Sequence, residues 1–473
     1  FLNCYLLKNK GGVIMTVTKI KNGSMSKEFI KFVIPAIISM VVTSMYSIID
    51  GIFVGRGVGE NALAAVNIAY PLIMLHIALA MLVAIGGANA FSINKGRGDI
   101  KNANRIFLQS MILIVGISVI LNVLILVFPT QVSRLLGADD MLLPYVRDYI
   151  KWVALFAVIY MPGLALSIFI RNDDAPKREM TGTLIGAVTN IVLDYLFIMV
   201  FDMGVSGAAI ATGIGQLVST FIFMTHFTKK NRLLKIEKVK FYIDDIKYIF
   251  INGSPSFLME FSQAAVAFSF NIVLLSRIGA LGVSAYSIVM YICSIFNMIL
   301  IGLVQGIQPI MSFNYGKGNR ENIQKVYKMA VRTSLCLTVI VYIAVFIFGK
   351  ALSDIFIRNN AQVTNMALNM MRYYFLAFFP IGISLINILY FQIIRLEKWA
   401  VFLSFIRCIG FVQLSLLIMP ELFGITGIFL SFLCGELVNC FISVMLYKYA
   451  EKSQSNTVKI SDKKVLFRNI ETD

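Results

Sequence analysis

Twelve long apolar stretches, separated by short turns, take up most of this chain: approximately 29–54, 62–90, 106–128, 149–171, 180–203, 205–227, 248–278, 283–313, 325–349, 371–396, 398–420 and 424–449. A hydrocarbon core about 30 Å thick is crossed by roughly 20 apolar residues in helical form. Each stretch therefore suits one membrane pass. With 58% apolar residues, 14% charged residues and a mean hydropathy of +0.80, the chain lies outside the range of soluble globular proteins. Short runs of alternating hydrophobicity, the mark of a membrane β-barrel, do not occur. The expected fold class is an all-α polytopic membrane protein with twelve transmembrane helices.

The chain also repeats itself. Ser92-Ile-Asn94-Lys-Gly96-Arg-Gly98-Asp-Ile-Lys-Asn102 aligns without a gap, 220 residues on, with Ser312-Phe-Asn314-Tyr-Gly316-Lys-Gly318-Asn-Arg-Glu-Asn322. The same shift carries Gly204-Val-Ser-Gly207 onto Gly424-Ile-Thr-Gly427, Gly215-Gln-Leu-Val218 onto Gly435-Glu-Leu-Val438, and Pro35 onto Pro255. A constant offset over separated motifs implies two related six-helix lobes. Because six is even, both lobes insert in the same sense, so the repeat is parallel, with its axis along the membrane normal. Repeat architectures of this kind point to a transporter whose site lies within or between lobes that move against each other.

Lysine and arginine set the orientation. If the first stretch starts in the cytoplasm, the inner segments from Met15 onward hold thirty basic residues and the outer segments eight. Both termini are therefore expected inside, in a multi-pass membrane protein. The net charge of +17 is accordingly a topology signal, and no nucleic-acid partner is expected. The expected domains are an N-terminal tail 1–28, an N-lobe 29–227, a basic linker 228–247, a C-lobe 248–449 and a C-terminal tail 450–473. Within the first tail, residues 1–14 read as a leader ahead of a native start at Met15. The linker carries seven basic residues with Phe241, Tyr242 and Ile243, which suits either the surface of an anionic membrane or a solvated tether. The Asn-x-Gly-x-Gly turns read as structural corners: glycine supplies positive φ and asparagine a cap. No Lys-Ser/Thr pair follows, which argues against a phosphate cradle. The six cysteines show no metal spacing, and five of them lie in apolar runs as small hydrophobes.

Charged residues at membrane depth cost about 2.5–3.5 kcal/mol each on insertion scales, so each needs an explanation. They are Asp50, Asp194, Glu260, Arg407 and Glu436. Tyr46 stands one helical turn before Asp50, Asn190 one turn before Asp194, and Thr212 lies at depth on the sixth stretch. At the 220-residue offset, Asp50 meets Phe270, Asn190 meets Gly410 and Asp194 meets Leu414. The acids were not duplicated with the architecture, which favours a function confined to the first lobe over a purely structural network. A carboxylate drawn out of water is readily neutralised, which suits proton uptake and release. Two carboxylates with an amide and a hydroxyl equally offer hard oxygen ligands for sodium. Glu260, five residues beyond Pro255, reads either as an anionic contact for a cationic substrate or as a glutamate bonded to neighbouring helices. Arg407 and Glu436 read as a structural polar pair. His76 reads as a satisfied hydrogen-bonding residue, and the 23 methionines and 37 phenylalanines mainly as bulk composition.

Tyr46-Ser-Ile-Ile-Asp50-Gly-Ile-Phe-Val-Gly55, followed by Ala62-Leu-Ala-Ala65, resembles the multidrug and toxic compound extrusion (MATE) transporters, most closely their MepA-type bacterial branch. Gly86-Gly-Ala-Asn-Ala90, Asn190-Ile-Val-Leu-Asp194 and Gly207-Ala-Ala-Ile-Ala-Thr212 extend the likeness, which runs from the first stretch to the last. The resemblance implies the MATE fold, two lobes around a central cleft, and export of organic cations in exchange for protons or sodium. It implies no cofactor beyond the coupling ion. Tyr46, Asp50, Asn190, Asp194 and Thr212 match the ion-coupling group, with sodium, if used, held by Asp50, Asn190, Asp194 and Thr212. Glu260 and Asp194 match substrate contacts, and Pro35 matches a proline at which the first helix bends in some relatives. The tenth stretch, from Arg372 to Arg395, carries no acid, which departs from some sodium-coupled relatives.

The expected function is thus a secondary antiporter for lipophilic organic cations, working as a monomer among membrane lipids. Its rivals are a flippase for lipid-linked oligosaccharide and an ion channel. An enzyme fits least, because no nucleophile triad, His-Glu metal motif or paired acidic metal site occurs in the loops.

Overall fold

The computed structural model describes residues 25–228, 232–236, 240–356 and 360–470. The leader 1–14 and the start at Met15 lie outside the described residues, as do parts of the linker and the last three residues. Among the described residues there is no strand, and the chain passes back and forth as helices. In the N-lobe these are α1 (Met25–Gly57), α2 (Glu60–Gly96), α3 (Ile100–Val127), α4 (Leu143–Asn172), α5 (Pro176–Asp194) and α6 (Gly204–Met224). The C-lobe holds α7 (Ile243–Arg277), α8 (Ala280–Gly316), α9 (Arg320–Phe356) and α10, which runs from Ala361 to Ile393 through a 3-10 turn. It continues with α11, from Glu397 through a π turn at Ile406–Gly410 to residue 423, and α12, over 425–470. Gly424, at φ 57°, breaks the trace between the last two and makes twelve passes. A second π turn, Tyr195–Val200, follows Asp194 directly at the end of α5.

The helices outrun the apolar stretches that announce them. Apolar length reports bilayer thickness, whereas a helix can continue into water beyond it. Thus α1 begins at Met25, α7 takes in the end of the expected linker, and α12 continues through the expected C-terminal tail as far as Ile470. The capping asparagines also sit elsewhere than the motif suggests. Asn94 and Asn314 donate back to their own helices, to the carbonyls of Ala90 and Ile310, both at 2.8 Å. The caps are Asp99 and Asn319, which accept from the backbone N–H of Asn102 and Asn322 at 3.1 and 3.0 Å. Positive φ falls on the second glycine of each motif, Gly98 at 81° and Gly318 at 72°.

The turns α2/α3, α4/α5, α8/α9 and α10/α11 share one face of the bundle with the linker, here termed the basic face; the opposite face is the far face. The linker is fastened to the N-lobe: the backbone N–H groups of Leu233 and Leu234 donate to Asp173, and that of Lys235 donates to Asn104 Oδ1 at 2.8 Å. His226 Nε2 lies 2.8 Å from the same Asp173 carboxylate. Phe241, Tyr242 and Ile243 remain exposed beside it.

Lipid is as apolar as leucine, so helices in a bilayer associate through close packing and polar contacts. The lobes follow this rule. Phe29, Phe32 and Val33 of α1 are buried in the same cluster as Leu303, Ile307 and Ile310 of α8. A Cβ on Gly302 would lie 2.6 Å from Ile37 Cα, and one on Gly306 would lie 2.7 Å from Val33 Cα. On the other side of the seam, Gly253 of α7 abuts the Leu82 carbonyl of α2 and Gly86 abuts that of Ile249. All these approaches lie in the half of the bundle nearer the basic face, where the lobes are closed against each other.

Candidate functional site

Near the far end of the N-lobe, Asp50 of α1 and Asp194 of α5 turn their carboxyl groups toward each other within hydrogen-bond range. Asp194 is fully buried and Asp50 partly so. Asp50 Oδ1 and both oxygens of Asp194 find no hydrogen-bond donor among the described residues. Leaving a buried acceptor unsatisfied costs about 1–3 kcal/mol, and more when it is charged. Three such oxygens converging at one place therefore suit a cation. A proton held between the acids would bond one to the other, and a sodium ion would accept the same oxygens as ligands.

The surroundings are polar and uncharged. Asn190, buried one turn before Asp194, donates to Thr212 Oγ1 of α6 at 3.3 Å. The Asn190 Oδ1 atom is itself without a donor, which adds a neutral oxygen to the set. The Tyr46 hydroxyl accepts from Gln216 Nε2 of α6 at 2.9 Å. Tyr149 of α4, also buried, lies within electrostatic reach of both acids. Tyr46, Asp50, Asn190, Asp194 and Thr212 thus come from α1, α5 and α6 of a single lobe. No group of three or more His, Cys, Asp or Glu side chains fit to hold a metal ion occurs among the described residues.

Glu260 stands midway along α7, half-buried and with neither a hydrogen bond nor an ion pair among the described residues. Across the seam, Tyr70 of α2 and Tyr160 of α4 lie within its electrostatic reach. Tyr70 is 51% exposed, whereas the residues packed across the seam nearer the basic face are buried. The α1 helix runs unbroken through Pro35, and Ser39 Oγ donates to the Pro35 carbonyl at 3.0 Å. Arg407 and Glu436 meet inside the C-lobe, with Nε 2.8 Å from Oε1. His76 is enclosed, its Nδ1 2.8 Å from the Leu72 carbonyl and its Nε2 2.8 Å from Asn122 Oδ1.

Three groups were missed or under-read in the sequence. Gln216 is the first: the repeat marks it only as the polar counterpart of Glu436, a packing position, and not as a partner of Tyr46. The second is the ion pair of Arg171 and Glu179, only 1% and 2% exposed, with Nη2 3.4 Å from Oε1. The third is a row of neutral side chains across the seam: Asn172 Nδ2 donates to Gln308 Oε1, Gln308 Nε2 to Asn89 Oδ1, and Asn89 Nδ2 to Asn252 Oδ1, at 3.0, 2.7 and 2.8 Å. The motif Gly86-Gly-Ala-Asn-Ala90 holds one member of that row.

Two parallel six-helix lobes, closed against each other at one face, with paired acids enclosed in one lobe and a lone glutamate midway along a helix of the other, define a membrane transporter. The MatE family model matches residues 35–196 and again 255–417, beginning at the two prolines that the repeat aligns, and this chain belongs to that family. Among curated proteins it is similar to the multidrug export protein MepA of Staphylococcus saprophyticus, 26% identical over 91% of this chain and 94% of that protein. MepA of Staphylococcus aureus is 25% identical over 89% and 93%. Among solved structures, an outward-facing multidrug resistance MATE transporter of the MOP superfamily superposes with a TM-score of 0.87, at 22% identity, over 92% of this chain and 97% of its own.

Proposed function

We propose that this protein is a secondary antiporter of the bacterial cytoplasmic membrane that exports lipophilic organic cations in exchange for protons or sodium by alternating access. The observation that carries this reading is the facing pair Asp50 and Asp194, three of whose oxygens lack donors among the described residues at one buried place. The basic face is taken as cytoplasmic, with both termini inside, since the sequence segments assigned to that side hold thirty basic residues against eight on the other. The cleft at Glu260 then opens outward.

In this scheme an incoming proton or sodium ion enters from outside and settles between Asp50 and Asp194, assisted by Asn190, Thr212 and the Tyr46 hydroxyl. Its arrival cancels charge in the N-lobe and reorganises α1, with Pro35 as the hinge, because proline removes one intrahelical hydrogen bond and so weakens the helix locally. Glu260 and Asp194 present carboxylates to a cationic substrate. Substrate and ion compete for the same charge, and the export step follows from that competition. Each elementary charge moving down 100 mV releases about 2.3 kcal/mol, enough for a concentration ratio of about fiftyfold. Arg407 and Glu436 hold α11 to α12 and take no part in the exchange.

The test is ethidium efflux from cells and from reconstituted vesicles with proton and sodium gradients imposed in turn. Asp50→Asn and Asp194→Asn are each expected to abolish gradient-driven efflux. Full activity in both variants sinks the assignment.

A further inference from the structure

The buried ion pair of Arg171 and Glu179 is poorly served by its surroundings, and that defect is informative. Arg171, at the end of α4, is 1% exposed and makes one short hydrogen bond, from Nη1 to Gln305 Oε1 of α8 in the other lobe, at 2.7 Å. Its Nε and Nη2 find no acceptor in hydrogen-bonding geometry among the described residues. The Glu179 contact, at 3.4 Å, is long for a charged pair. Glu179 Oε2 receives only Ser39 Oγ at 3.3 Å, and that hydroxyl is shared with the Pro35 carbonyl. The pair thus touches α1 beside its proline, α4, α5 and α8 of the opposite lobe. It lies on the closed side of the seam.

The row of amides beside it is different in kind. Asn172, Gln308, Asn89 and Asn252 are neutral and bonded in series, and the row ends on the C-lobe, where Asn252 Nδ2 donates to the Gln392 carbonyl at 2.7 Å. Such a row holds two surfaces together at little desolvation cost. Enclosing a guanidinium and a carboxylate is costly unless geometry and extra hydrogen bonds repay it, and here they do so only in part. Parting the lobes would free the Arg171 end of the pair from Gln305 and bring water toward it.

We propose that Arg171 and Glu179 are positioning residues that oppose closure of the basic face, while the amide row favours it. Their balance keeps the closed state releasable during each cycle. This rests on the alternating-access reading above and adds to it a sign: neutralising the pair strengthens closure, whereas breaking the amide row weakens it.

The experiment measures the distance between probes at Lys177 of α5 and Lys398 of α11, both exposed at the basic face, in full-length protein in vesicles. The double variant Arg171→Gln/Glu179→Gln should raise the ratio of closed to open lobes at least about fivefold and slow dye turnover. Either single change leaves one buried ion without its partner and should lower that ratio, so the two effects combine with opposite sign to their sum. Asn89→Ala should lower it as well. If a single variant fails to insert, the double variant and Asn89→Ala still decide the matter. An unchanged or smaller closed fraction in the double variant overturns the proposal. The distance readout is independent of transport, so a wild-type protein that moves no dye would count against the antiporter reading alone.

Discussion

Gly96 and Gly316, the first glycines of the repeated motif, lie back to back where the two lobes meet. A Cβ on Gly96 would sit 2.1 Å from the Phe313 carbonyl oxygen, and one on Gly316 would sit 2.0 Å from that of Ile93. Neither backbone can yield without moving a helix. Gly96→Ala or Gly316→Ala should therefore wedge the lobes apart at the basic face, by an overpacking cost of about 1–3 kcal/mol. Limited proteolysis or probe distances across the seam should report opening, with loss of efflux and retained insertion.

Tyr46→Phe removes the hydroxyl that accepts from Gln216 at 2.9 Å and leaves the ring in place. A hydrogen bond of this kind is worth about 1 kcal/mol net. The half-saturating concentration of the coupling ion should rise about fivefold while maximal efflux changes little. Flux measured against ion concentration checks this, and an unchanged half-saturation point would remove Tyr46 from the coupling group.

Much of the architecture is legible in the sequence because two of its signals are one-dimensional. Apolar length gives the passes, and the fixed offset from Asn94 to Asn314 gives the lobes. Burial is three-dimensional, and the sequence conceals it. Arg171 and Glu179 flank a short turn among basic residues, where a solvated charge and an enclosed one read alike, so Arg171 counted toward orientation only and Glu179 went unread. The acids on α1 and α5 stood out because an isolated Asp inside an apolar run has no solvated explanation. That their carboxyl groups meet required α1 and α5 to be neighbours, which spacing along the chain does not state.

Arg407 and Glu436 offer a contrast between removing one ion and removing two. Arg407→Met should destabilise the C-lobe by about 3–5 kcal/mol, since Glu436, 1% exposed, would keep its charge without a partner. Arg407→Met/Glu436→Leu should recover most of that loss. Thermal unfolding of the purified variants separates the two cases, and efflux in the double variant should stay near wild type if the pair is only structural.

Glu260→Gln keeps the shape of the side chain and removes its charge. Because Glu260 has no ionic or hydrogen-bonding partner among the described residues, the fold should tolerate the change. Affinity for a cationic dye should fall about tenfold, in line with roughly 1.5–3 kcal/mol for a charged contact, while a neutral substrate is unaffected. Equal loss for both would place Glu260 outside substrate recognition.

The two π turns carry a lesson about ancestry. Each lobe has one in its fifth pass, at Tyr195–Val200 in α5 and at Ile406–Gly410 in α11, so the overall spacing of the halves is preserved. They occur at different depths, however, and between them the two helices run one residue out of phase, about a 100° rotation of every side chain. Over that interval Asp194 corresponds to Ser415 rather than Leu414, and Asn190 to Phe411 rather than Gly410. A small shift in where a helix swells thus sets an acid in one twin segment against a serine in the other.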